Sequence, residues 1–158
     1  MKMKNTIIIT IMSLMLLVSC SSDKRIKLFN SKIQQHYSAL GGNPVDLSKI
    51  NAIILLPREG CEGCISDASQ MAIDLLAERS DIAVIFTVVN DLKLLHRQYG
   101  NSLLKNDLVS IDLQNLFRDD RVMSIYPQIA YMKNGKCYKV EEFGNESEEF
   151  MRLFNPTN

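Results

Sequence analysis

The stretch Ile53-Ile54-Leu55-Leu56-Pro57-Arg58-Glu59-Gly60-Cys61-Glu62-Gly63-Cys64 decides the fold. Its first four residues form a short continuous apolar run, as expected of a strand buried on both faces. Pro57 stops that run. After Cys61, the residues Ile65, Ala68, Met71, Ala72, Leu75 and Leu76 recur at helical spacing. The two cysteines therefore sit between a buried strand and the opening of a helix. In that context Cys-x-x-Cys is a redox motif rather than a chance pair. The spacing lets both sulfurs close a small disulfide ring without moving the backbone. The helix start supplies unpaired N–H groups and the positive end of a dipole, which stabilise a thiolate at Cys61. Cys61 is expected to be the attacking sulfur. Cys64, one turn inside, is expected to be buried and to resolve the mixed disulfide.

Working outward, Ile26, Phe29, Ile33, Tyr37 and Leu40 predict an amphipathic helix over residues 24–40, ended by Gly41-Gly42-Asn43-Pro44. Residues 82–89 are β-branched and apolar and predict a second buried strand. Asn90-Asp91 predicts a cap for a helix running to about Tyr99, with loop over 100–108. Residues 109–112 predict a short strand, and 113–118 a helical turn or two. Gln128 to Met132 reads as a strand, Lys133-Asn134-Gly135-Lys136 as a hairpin turn, and Cys137 to Phe143 as the return strand. Asn145 and Glu148 predict a capping box for a last helix that packs Phe150, Leu153 and Phe154 inward. Alternating strands and helices followed by a hairpin imply an α/β fold, with a central mixed β-sheet flanked by helices on both faces.

The chain has 158 residues, with 18 basic and 18 acidic residues and a formal charge of zero. Its 46% hydrophobic and 23% charged composition excludes a collagen, a coiled-coil rod and a long disordered chain. Nothing in the balance suggests a nucleic-acid partner. Residues 1–19 read as a targeting segment. Lys2 and Lys4 precede an apolar run from Ile7 to Val18, too short to span a bilayer comfortably and suited to a signal-peptide core. The run ends in Leu17-Val18-Ser19-Cys20, which resembles the bacterial lipobox. That resemblance implies cleavage before Cys20, lipid on Cys20, and a short tether over residues 20–23. The folded domain is then expected over 24–158. Loss of Lys2 and Lys4 would leave a formal charge of −2. The protein would work outside the cytoplasm, where disulfides persist. The outer membrane is favoured over the inner, with its side unspecified.

The region from about Ile53 to Phe154 resembles the thioredoxin-like thiol–disulfide oxidoreductases. One anchor is the strand-loop-Cys-x-x-Cys-helix. The other is Ile125-Tyr126-Pro127-Gln128-Ile129-Ala130-Tyr131 followed by Lys133-Asn134-Gly135-Lys136. In that family a cis-proline begins this strand and faces the active disulfide. The resemblance implies that Pro127 is cis and that Tyr126 offers backbone hydrogen bonds to an extended substrate segment. Lipid anchoring and Cys-Glu-x-Cys are most similar to the TlpA/ResA-like branch of extracytoplasmic reductases. In that branch a carboxylate stands three residues after the second cysteine. Here it is Asp67, a candidate proton acceptor for Cys64. The implied partners are thiols or disulfides of exported proteins and a membrane or periplasmic electron donor. The cysteine pair itself is the redox centre, so neither metal nor organic cofactor is required, and a monomer suffices.

Several residues depart from the branch. Gly63 replaces the usual proline, Pro57-Arg58-Glu59-Gly60 stands where a tryptophan normally precedes the motif, and Leu55 occupies the position of thioredoxin's buried aspartate. Glu59 and Glu62 disfavour a thiolate while Arg58 favours it. A raised thiol pKa destabilises the reduced form, so the balance leans to a reductase. Arg58 also stands where a peroxiredoxin needs threonine. Cys137 reads as a partly buried strand cysteine, and His36 and His96 as surface or boundary residues. A zinc site from Cys61, Cys64, Cys137 and a histidine matches only by count. The alternative function is a binding or scaffold lipoprotein whose thioredoxin fold carries a structural disulfide.

Overall fold

A computed structural model describes residues 24–41, 45–144 and 147–154, apart from the side chains of Glu149 and Phe154. Cys20, the targeting segment and the cap candidate Asn145 lie outside the described residues. The first helix, α1, covers 24–39. A 3-10 turn, Leu47–Lys49, leads into β1 (Ala52–Pro57), α2 (Glu62–Glu78), β2 (Ile82–Thr87) and α3 (Leu92–Leu104). Then come β3 (Val109–Ile111), β4 (Gln128–Lys133), β5 (Lys136–Glu142) and α4 (Glu148–Phe154).

The five strands form one mixed sheet in the order β3-β2-β1-β4-β5. β1 pairs parallel with β2, and β2 with β3. β4 runs antiparallel to both β1 and β5. Every residue of β1 and β2 is buried, as their unbroken apolar runs require. Successive strand residues point to opposite faces, and the core divides accordingly. Ala52, Ile54, Leu56, Val84 and Phe86 pack with Ala68, Ala72 and Leu75 of α2, Leu95 of α3, and Phe150 and Leu153 of α4. Ile53, Leu55, Ala83 and Ile85 pack with Phe29, Ile33 and Tyr37 of α1 and with Phe117 and Val122. Each fully buried side chain of this size contributes roughly 1.5–3 kcal/mol.

Several boundaries differ from expectation for identifiable reasons. β2 stops at Thr87 because Val88 adopts φ 54°, which turns the chain out of the ladder. α3 continues to Leu104 rather than ending near Tyr99. Gly100 breaks the helix with φ 75° and ψ 162°, and a further turn follows it. Residues 113–118 form turns rather than helix. The buried carboxylate of Asp112 accepts from the N–H groups of Leu116 (2.9 Å) and Phe117 (3.0 Å) and so winds this segment around itself. The stripe of α1 ends at Tyr37, and Leu40 is exposed. At α4 the N–H of Phe150 donates to Ser147 Oγ (3.1 Å), and Glu148 pairs with Arg152 one turn on. The hairpin matches expectation: Asn134 and Gly135 both take positive φ, 51° and 75°.

Candidate active site: the Cys61–Cys64 disulfide

β1 delivers the chain to the site. Arg58 N–H extends the parallel ladder by donating to the Thr87 carbonyl (3.0 Å). The chain then turns through Gly60 at φ 142°. A Cβ on Gly60 would lie 2.1 Å from the Ile125 carbonyl oxygen, so only glycine fits there. This close approach lets Cys61 N–H donate to that same carbonyl (3.0 Å). The motif loop is thereby bonded to the segment that leads into β4.

Cys61 caps α2. Its backbone is extended (φ −71°, ψ 98°), and its Sγ accepts from Cys64 N–H (3.4 Å). Its carbonyl accepts the first helical bond, from Ile65 N–H (2.9 Å). Cys61 and Cys64 are joined as a disulfide, with Cα atoms 5.3 Å apart. Both are partly buried, so Cys64 is more accessible than the sequence suggested. Glu62 and Gly63, between them, are exposed. The exposure of Gly63 follows from its place on the outer side of the first turn, where nothing approaches within 4 Å of a Cβ position. Asp67 lies one turn beyond Cys64 and is exposed.

The charges of Arg58 and Glu59 are each tied to a neighbouring side chain. The Arg58 guanidinium lies over the ring of Tyr99 (5.7 Å) and Nη1 donates to its hydroxyl (3.5 Å). The Tyr99 hydroxyl meets Ser69 Oγ (2.9 Å), which donates to the Ile65 carbonyl (2.6 Å). Glu59 accepts from Asn90 Nδ2. α3 and the turn before it therefore hold both charged residues of the loop. Tyr99, Ser69 and Asn90 carried no functional signal in the sequence, because each meets the motif only through folding; Ile125 stood in the second anchor, but its bond to Cys61 was not legible there.

The segment before β4 forms the other wall. Met123, Ile125 and Tyr126 are 41%, 58% and 38% exposed, a run of apolar surface beside the disulfide. Pro127 is buried, but the expected cis bond is not found: the Tyr126–Pro127 peptide is trans. Trans is the intrinsically preferred form by about 0.5–1 kcal/mol, and here it leaves the neighbouring polar groups satisfied. The Ile125 carbonyl serves Cys61, the Tyr126 N–H donates to Ser124 Oγ (3.1 Å), and the Pro127 carbonyl accepts from Phe143 N–H (2.7 Å). The N–H expected to meet a substrate strand at Tyr126 is thus already engaged within the loop.

The remaining cysteine and histidines lie elsewhere. Cys137 is the second residue of β5, opposite Met132, at the hairpin end of the sheet and away from the disulfide. Asn30 bonds both its N–H and its carbonyl (2.8 Å each), and burial pushes its thiol up to about 11. The fold therefore does not bring the three cysteines together as zinc ligands. His36, expected near the surface, is only 3% exposed, with Nε2 bonded to Ser110 Oγ (2.9 Å). Burial holds its pKa below the ordinary 6.5, against the opposing pull of Asp112. His96 is exposed and meets Asn101 (2.9 Å). Comparison of the chain with protein families, with curated proteins and with solved structures found no match.

Proposed function

We propose that this protein is a lipid-anchored, extracytoplasmic thiol–disulfide oxidoreductase of thioredoxin-like fold, with helices on both faces of its sheet. It acts as a reductase on exported proteins. The observation that carries this reading is the Cys61–Cys64 disulfide, partly accessible at the start of α2 and bordered by the exposed apolar run at Met123, Ile125 and Tyr126.

In the reduced protein the Cys61 thiolate attacks one sulfur of a substrate disulfide. That S–S bond breaks, a mixed disulfide forms, and the departing substrate thiolate takes up a proton. Cys64 then loses its proton, with Asp67 as acceptor, and attacks Cys61 Sγ. The second substrate thiol leaves and the Cys61–Cys64 bond forms. Two electrons pass to the substrate, and a two-electron thiol donor at the membrane must restore the dithiol. Unpaired N–H groups of the first turn of α2 favour the Cys61 thiolate. The lipobox-like Leu17-Val18-Ser19-Cys20 supports anchoring through Cys20 after removal of residues 1–19.

The test is the reduction potential of the Cys61–Cys64 pair, measured in the full chain with Cys137→Ser. A value near about −270 mV supports a reductase, and one near about −120 mV makes the protein a disulfide donor. The trans Tyr126–Pro127 bond and the engaged Tyr126 N–H favour a second reading, a scaffold lipoprotein with a structural disulfide. That reading takes over if the pair does not exchange with thiols in the folded protein, or if Cys61→Ser leaves the protein's cellular function intact.

A further inference from the structure

The start of α1 and the disulfide lie at the same edge of the sheet. Gln128, the first residue of β4, pairs with Leu55 near the end of β1. Its side-chain amide donates to the Val122 carbonyl (3.0 Å) and accepts from Arg25 Nη2 (2.8 Å). Three residues before Gln128, the Ile125 carbonyl holds Cys61 N–H. A short chain of contacts thus links the first turn of α1 to the redox pair. Around that turn Lys24, Arg25 and Lys27 are exposed and share a surface recess with Arg121. Asp119 offsets part of this charge, pairing with Arg121 (2.7 Å) and Lys32 (3.5 Å). Gln128, which Arg25 reaches, lines a neighbouring recess with Met123 and Tyr126, and both of these and Ile125 are exposed.

A cluster of cations next to exposed apolar and aromatic side chains is the composition of a surface that lies on a bilayer. The position of this one in the chain gives it an occupant. Residues 21–23 separate Cys20 from Lys24 at the start of α1, and the four extended residue steps span at most about 14 Å. A lipid on Cys20 therefore holds Lys24 within that distance of the membrane.

We propose that this edge docks onto the anionic bilayer to which the protein is anchored, so that the disulfide works at the headgroup layer on cysteines close to the membrane. The inference rests on the lipid-anchored reading above. The cations meet lipid phosphates, while Met123, Ile125 and Tyr126 enter the interfacial layer. The hairpin edge, with Lys133 and Asn134, faces away.

The chain contains no tryptophan, so single tryptophans report cleanly. Ile125→Trp and Lys133→Trp, each in the full lipidated chain, would be reconstituted in vesicles of phosphatidylglycerol and chain-brominated phosphatidylcholine. Tryptophan at 125 is expected to be blue-shifted and quenched several-fold more strongly than at 133. Adding Lys24→Glu and Lys27→Glu, or removing phosphatidylglycerol, is expected to shrink that difference. Equal quenching at the two positions in protein that floats with the vesicles overturns the docked orientation and leaves the anchor intact. Unchanged quenching in the charge variants overturns the electrostatic part. Failure of the protein to float at all overturns the anchor and the docked edge together.

Discussion

Gly60 is the residue on which the site's geometry turns. It combines φ 142° with an approach to the Ile125 carbonyl that leaves no room for a Cβ. Gly60→Ala must push the motif loop off that carbonyl and weaken the Cys61 N–H bond. Backbone strain of this kind costs about 1–3 kcal/mol. The expected outcome is a thermal midpoint lowered by several degrees in a melting curve. Gly63→Ala is the matched control. Gly63 lies within α2, is exposed and has no neighbour to meet, so alanine there is expected to be neutral or to stabilise by about 0.5–1 kcal/mol. A reversed ranking of the two variants would show that the contact with Ile125 does not set the loop. In the sequence the two glycines stand three residues apart and look alike. What separates them is a carbonyl 65 positions downstream.

Among the elements, the turn after β3 shows how one side chain replaces a helix. The apolar pattern of residues 113–118 suits a helical turn, yet Leu113 is exposed and only Phe117 is buried from that run. Asp112 is 1% exposed and spends its carboxylate on two backbone N–H groups, Leu116 and Phe117. Phe117 is thereby placed against Phe29 of α1, with ring centroids 6.4 Å apart. Asp112→Ala would strand two donors and loosen that contact. A loss of about 2–4 kcal/mol is expected in denaturant melts, because a buried donor left unpaired costs about 1–3 kcal/mol. An unchanged midpoint would mean that Phe117 is seated by packing alone. Asp112→Asn, which keeps one acceptor oxygen, is expected to recover part of the loss. Strand and helix centres were legible because their periodicity is local. Their ends were set by such side-chain captures and by the backbone of Val88 and Gly100, which no periodicity reports.

At the scale of the whole molecule, α1 is fastened to the sheet partly through a histidine. His36 is buried against Ser110 of β3 and edge-on to Tyr37 and Phe117 (5.2 and 6.0 Å between ring centroids). Burial lowers its pKa from 6.5, and the nearby Asp112 charge opposes this without winning. The unfolded chain therefore binds this proton more readily than the folded one, so stability rises with pH across the interval between the two values. The full contribution is present above about pH 6.5. It declines as the pH falls from there toward the lower folded value. Urea midpoints measured through this interval should fall in the native protein and stay nearly flat in His36→Gln. The carboxylates of Asp81 and Glu141, whose pKa values are lowered from 3.8 and 4.5, lose their contributions only at more acidic pH. The two processes are therefore separable. Equal slopes in both proteins near neutrality would remove His36 from the account.

The sequence by itself determined the α/β order, the buried strands β1 and β2, the Asn134-Gly135 hairpin, and the disulfide spacing at the head of α2. Each of these depends on residues within a few positions of one another, through side-chain period, allowed φ or ring size. The tertiary structure alone decided that Gly60 and Ile125 touch and that Arg58 and Glu59 are held by Tyr99 and Asn90. It also decided that His36 is buried under β3, that Pro127 stays trans, and that Cys137 sits at the far end of the sheet from the disulfide. The physical reason is range. Hydrophobic patterning states that a residue is buried, but which group it meets depends on where strands and loops 31 to 74 positions away come to rest.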